Sequence, residues 1–204
     1  MPRGRTTTSY AVLGLLAVRP WTSYELAQQV RRSLRWFWPR AERRIYDEPK
    51  RLVEAGLATA TRELVGRRGR TVYTITDAGR AALREWLGEP PAPPTTELEG
   101  MVKVFFADAG DRDQLLVTLA HIERQATERL AELSDLAGQP TRFPERMHLG
   151  ALGLRLHEEQ ERATRRWAQW AREQVLEWES TTDPGAWDTE AMLAEIASTA
   201  RPRA

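Results

Sequence analysis

The chain has 204 residues, enough for one domain with a sizeable core or two small ones, and its 41% hydrophobic and 29% charged residues are the balance of a soluble globular protein. It holds no cysteine, which excludes disulfides, thiolate catalysis and cysteine-based zinc sites, and no apolar run approaches the roughly 18 residues that span a bilayer. The net charge of +1 hides a division, because residues 1–88 hold 17 Lys+Arg against 8 Asp+Glu while residues 89–204 hold 13 against 21. A half this basic calls for a polyanion, since lysine and arginine neutralise phosphates and release condensed counterions. The acidic half would be repelled by that polyanion, and its composition predicts a role in association or regulation. Met1-Pro2-Arg3-Gly4-Arg5 carries no signal-peptide apolar core, so the expected compartment is the cytoplasm.

Taken in chain order, Thr8–Val18 (Ala11, Val12, Leu13, Leu15, Leu16) predicts a buried helix ended by Arg19-Pro20. Thr22 or Ser23 then caps a second helix, with Glu25 in its first turn and Tyr24, Leu26, Ala27 and Val30 on its apolar face. A third helix is expected from Pro39, a residue suited to the first helical position, to Ala55-Gly56, where glycine supplies a left-handed cap. Pro49 removes one of its backbone hydrogen bonds and predicts a kink there or a break into two short segments. Ala58–Val65 and Thr71–Thr76 read as a hairpin around Gly66-Arg67-Arg68-Gly69-Arg70, a turn with three arginines. Asp77 is the expected cap of a helix carrying Ala81, Ala82, Leu83, Trp86 and Leu87.

Four prolines in the seven residues Gly88–Pro94 mark a stiff linker. Beyond it the pattern is helical almost throughout. A short helix is expected over 96–107 and a long one over 112–137, whose Leu119, Ile122, Ala126, Leu130, Leu133 and Ala137 recur like a coiled-coil seam. A second long helix is expected over 144–180, with Leu149, Leu152, Leu156, Ala163, Trp167, Trp170 and Trp178 as its apolar stripe, and residues 186–198 suggest a last amphipathic helix packed back on the bundle. Two striped helices and a short third cannot cover all this surface, so a partner subunit is the expected cover. The expected architecture is mainly α: a winged helix-turn-helix with a β-hairpin wing over residues 1–88, a Pro-rich linker over 89–95, and an antiparallel helical dimerisation and effector domain over 96–204.

In a winged helix the third helix enters the major groove and the hairpin tip reaches phosphate or the minor groove. The cations concentrate at those two places. Arg40, Arg43, Arg44, Lys50 and Arg51 fall on the candidate reading helix and Arg67, Arg68 and Arg70 on the candidate wing. Arginine bonds guanine bidentately, so the helix arginines are the candidates for base reading, while the wing arginines are expected to hold phosphate.

Three stretches carry a resemblance to a known family. Ala11-Val12-Leu13-Gly14-Leu15-Leu16 with Thr22-Ser23-Tyr24-Glu25-Leu26-Ala27 is one, and Ile45 to Leu57 (IYDEPKRLVEAGL) is the second. Gly69 to Arg80 (GRTVYTITDAGR) is the third. Together they resemble the PadR family of bacterial repressors over roughly residues 8–88, and the remainder is similar to the family's longer subgroup with a helical dimerisation domain. The resemblance implies that Tyr24, Tyr46 and Lys50 fall where the family contacts operator DNA, that Arg70 lies on the wing, and that repression is relieved by a small, often aromatic, ligand or a stress signal. Pro49 departs from the family, many of whose members have a helix-compatible residue there.

Eight tryptophans suggest where a flat effector would sit. Trp36 and Trp38 precede the reading helix and Trp167 and Trp170 lie one turn apart, although aromatic stripes more often anchor cores and interfaces. No metal or other cofactor is expected: His157 is not followed by a second histidine at zinc-binding spacing and reads as part of an exposed charged face, and no phosphate-binding loop or nucleophile elbow occurs. The expected partners are double-stranded DNA, a second copy of the chain and a small aromatic effector. The expected protein is a non-enzymatic regulator that binds an inverted-repeat operator as a homodimer; the rival readings are a winged helix used as a protein-interaction module and a sequence-blind DNA binder.

Overall fold

The computed structural model describes residues 5–34, 38, 45–65, 68–140 and 143–199, and it divides between Pro94 and Thr95 into two units. In the first unit α1 (Thr7–Val18) starts from a capping box: the Thr6 hydroxyl accepts the Ser9 N–H and the Ser9 hydroxyl accepts the Thr6 N–H. Its Val12, Leu13 and Leu16 are buried. A second capping box, Thr22 with Glu25, opens α2 (Ser23–Ser33). Burial pushes the Glu25 carboxyl up, but the hydrogen bonds from the Thr22 N–H and hydroxyl, together with Arg19, outweigh it and hold the group below its ordinary value. Arg19 also stacks 3.6 Å over the Trp21 ring.

The helix expected from Pro39 to Gly56 is interrupted just before Pro49, the break into two segments being one of the two outcomes that this proline predicts. Ile45–Asp47 make a turn, and α3 spans only Glu48–Glu54. Pro49 sits in its first turn, where a missing N–H removes no hydrogen bond, so the break expected at this proline is a helix start. Residues 39–44 lie outside the described chain. The far end closes as the glycine predicts. Gly56 adopts φ 71°, its N–H bonds the Val53 carbonyl, and the Leu57 N–H bonds the Leu52 carbonyl.

The hairpin is longer than its sequence suggests. β2 (Ala58–Val65) and β3 (Arg68–Ile75) pair antiparallel from Ala58↔Ile75 to Val65↔Arg68. Gly69 and Arg70, expected in the turn, are therefore strand residues opposite Leu64 and Glu63. A strand the sequence did not suggest, β1 (Trp21–Thr22), adds to the free edge of β3 to give the order β1-β3-β2. Three strands hold where an isolated hairpin is marginal. Helix α4 (Asp77–Leu87) is capped by Thr76 rather than by Asp77, which is its first residue. The Thr76 hydroxyl accepts the Gly79 N–H and donates to the Gly56 carbonyl. Gly79 lies so close to the Leu57 carbonyl that a Cβ would stand 2.1 Å from its oxygen.

The second unit contains α5 (Glu99–Phe105), α6 (Arg112–Gly138), α7 (Met147–Leu176) and α8 (Thr189–Thr199), with 3-10 turns at Ala107–Ala109 and Pro144–Arg146. Helices α6 and α7 run antiparallel, as the cross-pairs Arg112–Trp178, Glu123–Gln169 and Arg129–Glu161 require. Their core is Leu115, Leu119 and Val175 with Val104, Trp167, Ala171 and Trp178 around it. Along α6, Leu119, Ala126 and Leu133 of the expected seam are buried, joined by Leu115, whereas Ala137 is exposed.

The expected stripe of α7 divides: Trp167 and, just past the helix, Trp178 pack on the Leu115–Leu119–Val175 core, while its leucines face outward. Leu149, Leu152 and Leu156 are more than half exposed, and the helix turns His157, Ala168 and Val175 inward instead. His157, expected on an exposed charged face, is buried. The last helix starts at Thr189, and its Leu193 and Ile196 stay exposed, so it does not bury an apolar face on the bundle as expected.

Candidate nucleic-acid interface

The reading segment is built on α1. Ile45 and Leu52 are buried with the α1 core residues, which leaves Tyr46, Lys50 and Arg51 on the outer side. Tyr46 is 48% exposed, and the Lys50 and Arg51 side chains are 65% and 59% exposed. Each cation has one loose acidic neighbour at 3.8 Å, Asp47 for Lys50 and Glu48 for Arg51, so both heads stay available to an anion. Tyr24 is 65% exposed on α2, and its hydroxyl accepts a hydrogen bond from the Gln28 amide, which fixes the ring on the helix surface. Arg40, Arg43 and Arg44 lie outside the described residues.

On the wing, Arg70 donates from Nε and Nη2 to one carboxylate oxygen of Glu63 at 3.0 and 2.8 Å. The β2–β3 register forces that pairing, because it sets Glu63 opposite Arg70. Arg67 lies outside the described residues; Arg68 opens β3, its side chain likewise outside them. The sequence reading missed Arg62. Its guanidinium lies over Gly69, where an added Cβ would meet Nε at 2.9 Å, so the missing side chain makes room for a further wing cation. Only the register, which places Arg62 and Glu63 beside the turn-derived arginines, brings it to notice.

Three of the four aromatic candidates, Trp38, Trp167 and Trp170, are among the described residues. Trp38 is half-buried and donates its indole N–H to the Thr8 hydroxyl at 3.0 Å, and Trp36 lies outside the described residues. In the second unit Trp167 packs on the Leu115–Leu119–Val175 core while Trp170 faces solvent. A shallow apolar hollow of about 340 Å³ lies along α5, lined by Thr96, Leu98, Met101, Val102, Phe105 and Phe106. Among the described residues no group of three acidic or histidine side chains is placed to hold a metal ion, and no helix is long and apolar enough to cross a membrane.

Residues 12–85 match the model of the transcriptional regulator PadR-like family, and residues 99–175 match that of the virulence activator alpha C-terminal region. The negative transcriptional regulator PadR of Bacillus subtilis is 32% identical over 131 residues, which cover 63% of this chain and 70% of that protein. Its crystal structure in complex with operator DNA superposes with a TM-score of 0.73 at 25% identity, covering 83% of this chain and 99% of the other. The same protein in complex with p-coumaric acid gives 0.65 at 24% identity, covering 84% and 98%. The Vibrio cholerae virulence activator AphA is also similar, with a TM-score of 0.60 and 25% identity over 95% of this chain and 99% of that one.

Proposed function

The chain belongs to the PadR-like family of transcriptional regulators, and from that premise we propose that it is a sequence-specific repressor binding an inverted-repeat operator as a homodimer. The observation that carries this reading is the division of labour between its units. The first exposes Lys50, Arg51, Arg62 and Arg70 on a reading helix and a wing. The second leaves Leu149, Leu152 and Leu156 uncovered on a long helix, the surface a second copy would bury. In this scheme Lys50, Arg51 and the arginines of 40–44 read bases, Tyr24 and Tyr46 support them, and Arg67, Arg68 and Arg70 hold phosphate. Two such units related by a two-fold axis would meet half-sites one or two helical turns apart.

Repression is supported by the negative regulatory role of the Bacillus subtilis relative, and an aromatic effector by the p-coumaric acid complex of that protein. An effector would act by changing the half-site spacing the dimer can span. Coupling of about 1–3 kcal/mol would lower operator affinity some 5- to 150-fold. In this reading the protein acts on DNA without catalysis, in the cytoplasm.

Selection of bound duplexes from a random library by the full-length protein tests the core of this reading. An enriched inverted repeat is the expected result, and its spacing measures the dimer. Retention without any enriched motif would favour a sequence-blind DNA binder, and no retention at low salt a protein-interaction module. A saturable change in tryptophan fluorescence with aromatic acids tests the effector; a flat response across a broad panel sinks it.

A further inference from the structure

Glu48 is the first residue of α3, yet it is only 4% exposed. A carboxylate removed from water this far is costly unless it is held. It is held by α1. The Ser9 hydroxyl, itself buried, donates to Glu48 Oε1 at 2.6 Å across 39 residues of sequence. That hydroxyl has a single proton to give, and the Thr6 N–H, donating to the same oxygen at 3.0 Å, polarises it toward the carboxylate. The capping box of α1 thus ends on the reading helix. One turn on, Arg51 Nη1 lies 3.8 Å from Glu48 Oε2, with its head in solvent. A second clasp comes from the neighbouring residue of α1, where the buried Thr8 hydroxyl takes the indole N–H of Trp38.

We infer that the first turn of α1 positions the DNA-reading helix, with Ser9–Glu48 holding the start of α3, Thr8–Trp38 holding the chain ahead of it, and Glu48 steering Arg51. The inference rests on the operator-binding reading above. Thr6, Thr8, Ser9, Trp38 and Glu48 are positioning residues that touch no DNA themselves. An apolar pair could fill the Ser9–Glu48 site at no cost in stability. The polar pair instead allows one register of α3 against α1, and so one direction for Arg51 and Lys50. Fixed heads discriminate bases, whereas loosely held ones still find phosphates.

The test compares full-length wild type with Ser9→Ala, Ser9→Thr, Glu48→Gln and the Ser9→Ala/Glu48→Gln pair. Each is titrated with the duplex that wild type selects and with a scrambled duplex at the same salt. Ser9→Ala is expected to lower the selected-to-scrambled affinity ratio about 10-fold, the effect of losing a charge-assisted hydrogen bond, with scrambled binding unchanged. Ser9→Thr, which keeps the hydroxyl, should restore the ratio, and the pair should lose no more than the worse single change. Ser9→Ala removes one oxygen atom, so it remains informative if Glu48→Gln fails to fold. An unchanged ratio in Ser9→Ala, even with a lowered melting temperature, overturns the inference and leaves a merely structural contact. A wild type that selects no duplex overturns the operator reading itself, and this inference with it.

Discussion

The two units spend their apolar residues in opposite ways. Among the described residues, 14 buried core side chains lie in the first unit and 6 in the second, while 4 large exposed hydrophobics lie in the first and 14 in the second. The first unit closes its core around Val12, Leu13, Leu16, Trp21, Leu26 and Val30, so its surface can be given over to cations. Helices α6 and α7 share a thin core and a polar seam, in which Arg129 pairs with Glu161 at 2.7 Å, and they turn leucines to solvent. A unit whose core is closed can give its surface to polar groups; the unit with leucines turned to solvent is the one we propose a second copy covers. The charges divide likewise, with residues 89–204 holding 13 Lys+Arg against 21 Asp+Glu.

Ionic strength should expose the largest difference between the units. If the first unit neutralises roughly 6–10 phosphates in the dimer, operator affinity falls about 10³- to 10⁵-fold between 50 and 200 mM salt. Sedimentation at the same salts should show self-association through apolar α7 surface almost unchanged. Loss of both together would place charged contacts in the dimer interface and break the comparison. Next in size are two leucine substitutions. Leu16→Ala, in a site 1% exposed, should cost about 2–5 kcal/mol of stability in thermal or denaturant unfolding. Leu152, 71% exposed, should behave otherwise: Leu152→Glu is expected to spare the fold and weaken self-association about 100-fold. A Leu152→Glu protein that still sediments as a dimer would remove this face from the interface.

Smaller effects sharpen the picture of the basic unit. Glu63→Gln frees Arg70 from its ion pair, so affinity should rise about threefold to tenfold and the salt slope should steepen by about 1. Unchanged binding would mean that Arg70 stays away from phosphate. The smallest effect concerns Glu25, whose carboxyl is held below its ordinary value. A group with a depressed folded pKa adds stability above the ordinary carboxylate range and loses it as pH falls through the lowered value. The stability gap between wild type and Glu25→Gln should therefore narrow on acidification from about pH 6 to pH 3; a gap constant with pH would show that the Thr22 capping box holds the uncharged acid equally well.

Much of the first unit was legible because its signals are local. The patterns of α1 and α2, the Thr22–Glu25 cap, the left-handed Gly56 and the alternation around Tyr73 each depend on residues a few positions apart. Strand β1 was not legible, since Trp21-Thr22 becomes a strand only because β3 offers an edge to pair with. Nor was the extension of the hairpin through Arg70, where cross-strand pairing overrode two glycines that read as a turn. In the second unit the lengths of α6 and α7 were readable from their periodicity, and the direction each face takes was not.

By itself, then, the sequence determined the two-part architecture, the basic and acidic halves, and the family of regulators. Those follow from composition, proline breaks and short-range periodicity. Only the tertiary structure decided that Glu48 is clasped by Ser9, that Arg70 is paired with Glu63, and that the leucine stripe of α7 faces outward. Each depends on residues brought together from distant parts of the chain or on which of two helix faces finds a partner. A helix with an apolar stripe and a small-and-polar stripe can pack either one inward. Here α7 turns His157, Ala168 and Val175 inward and packs Trp167 on the Leu115–Leu119 core, Arg129 pairs with Glu161 across the two helices, and Leu149, Leu152 and Leu156 are left exposed.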